Sequence, residues 1–324
     1  MRWKERWKEC WPISIRMNPA VYVIVLNYNG RRWLEACFKS LLATDYDNYK
    51  ALLVDNASTD DSVGLVATSF PQIEIILNDS NAGFSAGNNA GIQRALVTGA
   101  DYVVLLNPDT RVEPDWLRQL ITVGEDAPEV GILGAVQLTY DGDEFNSWTE
   151  TALQSHLDEL RHPATARPWM PVEWVEGACF AIKRPVFDAI GFFDPIYFAF
   201  YEEIDFCRRA ACAGFQTALV PRSRIHHQRG GSWQTNAQMR RKRDYQCDRS
   251  QFIYHLTNPR LTLGQNLIGY LTTLGTKTKD LARQFSLARA WDLLRLQCDV
   301  WSQTLHWLRK WRRDRARLRQ LLLI

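Results

Sequence analysis

No stretch of this sequence approaches the roughly 18 consecutive apolar residues of a membrane-spanning helix. The nearest, LTLGQNLIGYLTTLG at 261–275, is uncharged but short, and Gly, Thr, Gln and Asn interrupt it. The N-terminus, MRWKERWKECW, is charged throughout and lacks an apolar core, so no secretory leader is expected. Seven cysteines are scattered at 10, 37, 179, 207, 212, 247 and 298, with no CxxC pair. An odd, unpaired set argues against a zinc ribbon or a disulfide framework and for a reducing, cytoplasmic setting. There is no GxxxxGK[ST], which excludes a P-loop. Gly83, Gly87 and Gly91 in GFSAGNNAG miss the GxGxxG spacing of a dinucleotide site and do not follow the first strand. A formal charge of +3 is too small to imply a polyanionic partner by itself. No internal repeat is visible.

What is present is an alternation of strands and helices. VYVIVL from 21, ALLVD at 51–55, IEIIL at 73–77 and YVVLL at 102–106 read as buried strands. Helical patterns fall at 31–43, 60–69 and 85–98 and again from Pro114. Near-continuous apolar strands separated by helices predict an α/β fold, a mostly parallel sheet covered on both faces. Residues 140–170 read as a long loop, and VEWVEGACFAIKR (172–184) as one strand. An aromatic strand then leads into an acidic helix that stops near Gly214. From 284 to the end the pattern is one long helix, with Leu287, Trp291, Leu294, Cys298, Trp301, Leu305 and Leu308 at alternating steps of three and four. These shifts predict a basic, Trp-rich segment at 1–19, an α/β domain at 20–235 and a helical, basic extension at 236–324.

In such sheets ligands bind beyond the carboxyl ends of the strands. Those ends are polar here. They carry Asn27, Tyr28, Asn29 and Gly30, then Asp55 to Asp60, then NDSNAGFSAGNNAG at 78–91, then NPDT at 107–110. Any one could merely cap a helix; four in register predict a single crevice. An Asp held in a Pro turn past a buried strand can offer an oxygen to a hard cation that is completed by substrate phosphate and water. Farther on, Glu202, Glu203 and Asp205 fall within four positions, straight after Phe198, Phe200 and Tyr201. Carboxylates suit a helix N-terminus, yet apolar neighbours and like charge make each one harder to ionise.

Taken together, VIVLNYNG, LLVDNASTDDS, NAGFSAGNNAGI, VVLLNPDT and FYEEIDFCRRAACAGF resemble the family 2 inverting glycosyltransferases of the GT-A fold, in particular their bacterial rhamnosyltransferase-like branch. The resemblance covers about residues 20–232. It implies a nucleotide-diphospho-sugar transferase fold with a helical C-terminal extension. It also implies transfer with inversion from a dTDP- or UDP-sugar to a hydroxyl, in surface polysaccharide or lipid-linked glycan synthesis. Asp55 would hold the base, and Asn27, Tyr28, Asn29, Asn81, Gly83, Asn88 and Asn107 would line the donor site. NPDT stands for the D-x-D motif, with Asn107 where the motif has its first Asp. Asp109 would then bind Mg²⁺ or Mn²⁺, with His227 first and His226 second beside the diphosphate. Glu203 falls at the general-base position, where the family commonly has Asp. Glu202 is its alternative, and Asp205 would orient the site or pair with Arg209.

Two rivals stand against this reading. A sugar nucleotidyltransferase needs an N-terminal Gly-rich loop, which LNYNGRRW matches poorly. A membrane-surface scaffold with a decayed transferase domain would account for Asn107 and Glu203. Trp3, Trp7 and Trp11 among basic residues suit an anionic membrane surface on the inner face of the cell membrane, and the Arg-rich C-terminus suits equally that surface or a helix packed on the catalytic domain with a solvated basic end. Their amphipathic period argues against nucleic acid.

Overall fold

The computed structural model describes residues 18–229, 236–284 and 287–322. The Trp3–Trp7–Trp11 stripe and the Gly230–Gly231 pair lie outside them. Strands β1 (Val21–Asn27), β2 (Tyr49–Asp55), β3 (Glu74–Leu77) and β4 (Tyr102–Leu106) pair in parallel in the order β3-β2-β1-β4. Beyond β4 the pairing turns mixed. β8 (Cys179–Lys183) runs antiparallel to both β4 and β6 (Val130–Thr139), and β9 (Gln216–His227) runs parallel to β6. Short β5 (Thr110–Val112) and β7 (Met170–Val172) pair antiparallel with β9.

The apolar runs alternate sides as a two-residue period demands. Val21, Val23 and Val25 face one core with α1 (Arg31–Leu42), α2 (Ser62–Ser69) and α4 (Trp116–Asp126). Tyr22 and Ile24 face a second core with α3 (Gly83–Val97), α7 (Arg184–Ile190) and α8 (Glu202–Cys212). Both faces are therefore covered, which is why the strands read as continuous apolar runs. β9 steps from Val220 to Arg224 while its partner β6 advances only from Ala135 to Val136.

Four expectations change. The 140–170 stretch contains α5 (Ser147–Ala152), a short 3₁₀ turn and α6 (Leu157–Arg161), whose Leu160 is buried with Trp148 and Met170 against β6. The 172–184 stretch splits into β7 and β8, because Glu173–Ala178 leave the ladder beside α3 and β6. The aromatic approach to the acidic helix is a pair of left-handed turns instead of a strand, with φ of 68° at Phe200 and 67° at Tyr201. The C-terminal pattern breaks at Gln303 into α11 (Leu287–Ser302) and α12 (Thr304–Leu322), after α9 (Ala237–Leu256) and α10 (Leu263–Gln284).

These last helices close a third core through Phe252, Ile253, Leu256, Tyr270, Leu296, Val300 and Trp307, which also takes in Ile196 and Tyr197. Of the expected stripe, Leu308 packs against it, and Trp301, 42% exposed, meets Tyr270 and Trp307 edge-on and donates Nε1 to the Tyr270 hydroxyl at 2.8 Å. Trp291, Leu294, Cys298 and Leu305 do not join it and are exposed, to 69% at Trp291 and Leu305. Among the described residues no helix is long and apolar enough to cross a membrane.

Candidate active site

Parallel pairing puts the strand ends level: Asn27 lies opposite Asp55, and Asp55 opposite Leu77. Asp55 is buried and its carboxylate is braced from three sides. Asn27 Nδ2 donates to Oδ2 at 2.8 Å, Ser58 N to Oδ1 at 2.7 Å and Ser58 Oγ to Oδ2 at 2.7 Å. Asn29 sits at φ 52°, exposed, with Oδ1 accepting from Thr59 N at 2.7 Å. Tyr28 is half-buried between them. The two loops thus hold each other, so Ser58 is a member of the site as well as a loop residue.

The 78–91 segment is held by amides. Asn56 Nδ2 donates to the Gly83 carbonyl at 2.9 Å, Asn78 Nδ2 donates to Asn56 Oδ1 at 2.8 Å, and Asn81 Oδ1 accepts from Gly83 N at 3.0 Å. Asn88 is buried, with Nδ2 donating to the Phe84 carbonyl at 3.0 Å and Oδ1 unpartnered. Gly83 has φ 78°, and a Cβ there would stand 2.3 Å from the Phe198 carbonyl oxygen. That carbonyl accepts from Phe84 N at 2.6 Å. The 78–91 segment is therefore clamped directly to the approach of the acidic helix.

Asp109 and His227 meet across β5 and β9. Thr110 pairs with His227 in the ladder, and His227 Nε2 lies 3.4 Å from Asp109 Oδ1 and 3.4 Å from Asn107 Nδ2. On the ring's other side His227 Nδ1 lies 2.9 Å from Gln137 Oε1. An amide oxygen there calls for the proton on Nδ1, which leaves the Nε2 lone pair facing Asp109. Gln137 was not read as a site residue; the signal was a single amide inside the apolar run of β6. His226 is one residue away and on the opposite side of the strand. Its Nδ1 lies 3.1 Å from the carbonyls of Thr139 and Gly142, so it ties down a turn and does not reach Asp109.

One imidazole and one carboxylate fit a hard divalent cation whose other positions come from diphosphate and water. Among the described residues no group of three His, Cys, Asp or Glu side chains could hold a metal ion.

The acidic helix carries three different carboxylates. Asp205 is fully buried and paired with Arg208 at 2.8 Å, Arg209 at 2.9 Å and Lys310 at 2.9 Å. Burial alone would raise its pKa, but the three cations outweigh burial and hold it well below the usual carboxylate range. Glu202 is buried, and burial with the neighbouring Glu203 pushes it well above its ordinary value. Glu203 is only half-buried, and burial raises it to about 7, with Glu176 adding to the rise. The Oε2 atoms of Glu202 and Glu203 have no hydrogen-bond partner. Glu176, also missed in the sequence, pairs with Arg229 at 3.1 Å just past His227.

Residues 22–191 match the description Glycosyl transferase family 2. The chain belongs to that family. It is a glycosyltransferase, of the α/β GT-A fold, and its likeness to the rhamnosyltransferase-like branch is carried by relatives. An N-acetylglucosaminyl-diphospho-decaprenol L-rhamnosyltransferase of Mycobacterium tuberculosis is 25% identical over 240 residues, covering 67% of this chain and 78% of that protein. Among solved structures, S. aureus TarS 1-349 in complex with UDP-GlcNAc superposes with a TM-score of 0.60 at 13% identity, over 87% of this chain and 80% of that one. The mannosyltransferase PcManGT from Pyrobaculum calidifontis, in complex with GDP-Man and Mn²⁺, gives a TM-score of 0.55 at 18% identity, over 98% of this chain and 91% of that one. At these identities the two structures establish the fold of the glycosyltransferase alone.

Proposed function

We propose that this glycosyltransferase moves a sugar from a nucleoside-diphosphate donor to a hydroxyl of a lipid-linked glycan acceptor, by single displacement with inversion. The observation that carries this reading is Glu203: a half-buried carboxylate with an unpartnered oxygen and a pKa near 7, at the mouth of a helix beside the donor segment. A base titrating near the working pH is well matched to proton removal. Glu202 is buried, and burial together with the charge of Glu203 pushes its pKa well above the ordinary value, which favours Glu203 of the two. An unpartnered carboxylate oxygen also argues against a decayed site.

In the proposed step the acceptor oxygen attacks the anomeric carbon as the bond from that carbon to the diphosphate oxygen breaks. Glu203 takes the hydroxyl proton, and the nucleoside diphosphate leaves with the electron pair. Asp55, braced by Asn27 and Ser58, would accept from the nucleobase, with Tyr28, Asn29, Asn81, Gly83, Asn88 and Asn107 around the donor. Asp109 and His227 would hold Mg²⁺ or Mn²⁺, which when bound stabilises the charge developing on the diphosphate. The mycobacterial relative's name gives rhamnosyl transfer to a diphospho-polyprenol as the first pair to try.

A lipid-linked acceptor also suits the outer face of the last helices. The exposed Trp291, Leu294, Trp301 and Leu305 run into exposed Arg309, Arg312 and Arg319 on α12. Apolar side chains beside cations fit the surface of an anionic bilayer, a peripheral attachment at the inner face of the cell membrane.

The test is incubation of the purified enzyme and Mn²⁺ with dTDP-L-rhamnose, UDP-N-acetylglucosamine and other nucleotide sugars, plus a short-chain prenyl-diphospho-N-acetylglucosamine acceptor. Proton NMR then reads the new anomeric centre. Transfer with the anomeric configuration opposite to the donor's is expected; retention, or release of nucleoside monophosphate, would overturn the reading.

A further inference from the structure

The third carboxylate of the acidic motif is held by a residue more than a hundred positions away. Lys310 on α12 is completely buried, and its Nζ donates to Asp205 Oδ2 at 2.9 Å and to Asp314 Oδ2 at 2.8 Å, with Asp194 Oδ2 at 3.9 Å. Arg313 Nη2 donates to Asp194 at 3.0 Å, and His306 Nε2 lies 3.1 Å from its other oxygen. Asp205 takes Arg208 on Oδ1 and shares Oδ2 between Arg209 and Lys310. The same side of the molecule holds the strained approach. Ser250 Oγ donates to the Ala199 carbonyl at 2.9 Å and Arg249 Nη1 to the Ile196 carbonyl at 2.6 Å.

Two consecutive left-handed residues, Phe200 and Tyr201, cost roughly 1–3 kcal/mol each, so surrounding contacts must hold them. An isolated buried ammonium is likewise unfavourable unless it is paired on several sides. Helix–helix packing alone would be served by apolar side chains at position 310; a lysine there makes sense only toward the carboxylates it meets. Asp205 sits two residues after Glu203, on the first turn that presents the base.

We propose that Lys310 is a positioning residue for catalysis: through Asp205 it fixes the first turn of α8, so that the C-terminal extension forms the rear wall of the active site. This rests on the reading of Glu203 as the base. The extension is then needed for turnover even where it contributes nothing to donor binding, because the donor contacts lie on the ends of β1 to β4.

The experiment compares wild type with Lys310→Met and with the double variant Lys310→Met/Asp314→Asn. The double variant removes one positive and one negative charge, which keeps the buried cluster balanced if the single variant fails to fold. Affinity is read by calorimetry with UDP or dTDP plus Mn²⁺. Turnover is read with dTDP-L-rhamnose or UDP-N-acetylglucosamine, whichever wild type consumes, well below the variant's Tm. The expected result is unchanged nucleotide affinity with kcat about tenfold or more lower, an effect of transition-state geometry. Asp205→Asn should then lower kcat by a smaller factor in the double-variant background than in wild type, the remaining loss coming from Arg208 and Arg209, which lean on the same carboxylate. A lower Tm with normal kcat would make Lys310 a fold brace only, and a parallel loss of affinity and kcat would mean general loosening; either overturns the proposal. Wild type that transfers no sugar, or Glu203→Gln with normal kcat, would instead remove the reading on which it rests.

Discussion

The carbonyl oxygen of Phe198 occupies the space that any side chain at position 83 would need, 2.3 Å from where a Cβ would stand on Gly83. Gly83→Ala must shift that carbonyl and adopt a left-handed backbone, which costs about 1–2 kcal/mol before the clash is counted. Because the carbonyl also receives the Phe84 amide, the shift passes to Phe200 and Tyr201 and so to Glu203. Gly83→Ala should lower Tm by several degrees and cut kcat more than a surface Gly99→Ala does. Position 99 has a positive φ too but nothing within 4 Å of its would-be Cβ, so it controls for backbone strain.

Glu203→Gln should leave nucleotide affinity intact and lower kcat by about 10² or more. Glu202→Gln should cost less. Wild-type kcat should fall as pH drops through about 7, where Glu203 gains its proton. The stability consequence has the opposite sense. A carboxyl whose folded pKa lies above its unfolded value of 4.5 favours the fold at low pH, and that contribution is lost as pH rises through about 7. Glu203→Gln should therefore raise Tm at pH 8 and leave it unchanged near pH 4, by differential scanning fluorimetry. An equal Tm for the two proteins at pH 8 would contradict the raised pKa.

The two adjacent histidines should separate cleanly. His227→Ala should weaken Mn²⁺-dependent UDP binding by about tenfold or more, as loss of a ligand exceeds loss of an outer partner. His226→Ala should lower Tm through its Thr139 and Gly142 contacts and leave that affinity intact. Calorimetry with and without Mn²⁺ checks both. Asp109→Asn should behave like His227→Ala.

Membrane attachment is best tested without truncation, because removal of 309–324 would also remove the buried Lys310 and Asp314. Trp291→Ser/Leu294→Ser/Leu305→Ser changes only exposed positions. Each large apolar side chain contributes at most about 1.5–3 kcal/mol when buried. Flotation with phosphatidylglycerol vesicles at low salt should thus drop at least about tenfold while Tm holds. Unchanged flotation would exclude this face.

The parallel half of the sheet was legible because each of its strands is an apolar run ending in a polar loop, and hydrogen bonding in register leaves those ends no freedom. Asp109 and His227 meet as a result of β5–β9 pairing, which no local pattern announces. Gln137 is silent for the same reason: its role depends on what lies across the sheet. The C-terminal stripe misled because a three-and-four period reports amphipathicity and says nothing of which side is dry; Leu296, Val300 and Trp307 form the buried side instead. Asp205 looked like one more helix-start carboxylate because its decisive partner, Lys310, is distant in sequence.

β9 gains three residues on β6 between Val220 and Arg224. Three is odd, and side-chain direction along a strand is a parity. Ala218 and Val220 share their core with Ile225, five positions past Val220, where an uninterrupted strand would have sent an even-numbered residue. Pro221, Arg222 and Ser223 therefore decide which of two adjacent histidines looks at Asp109. Loss of any single residue from that trio would exchange them without altering either one, so which histidine faces Asp109 is encoded by a count, three places upstream of the pair itself.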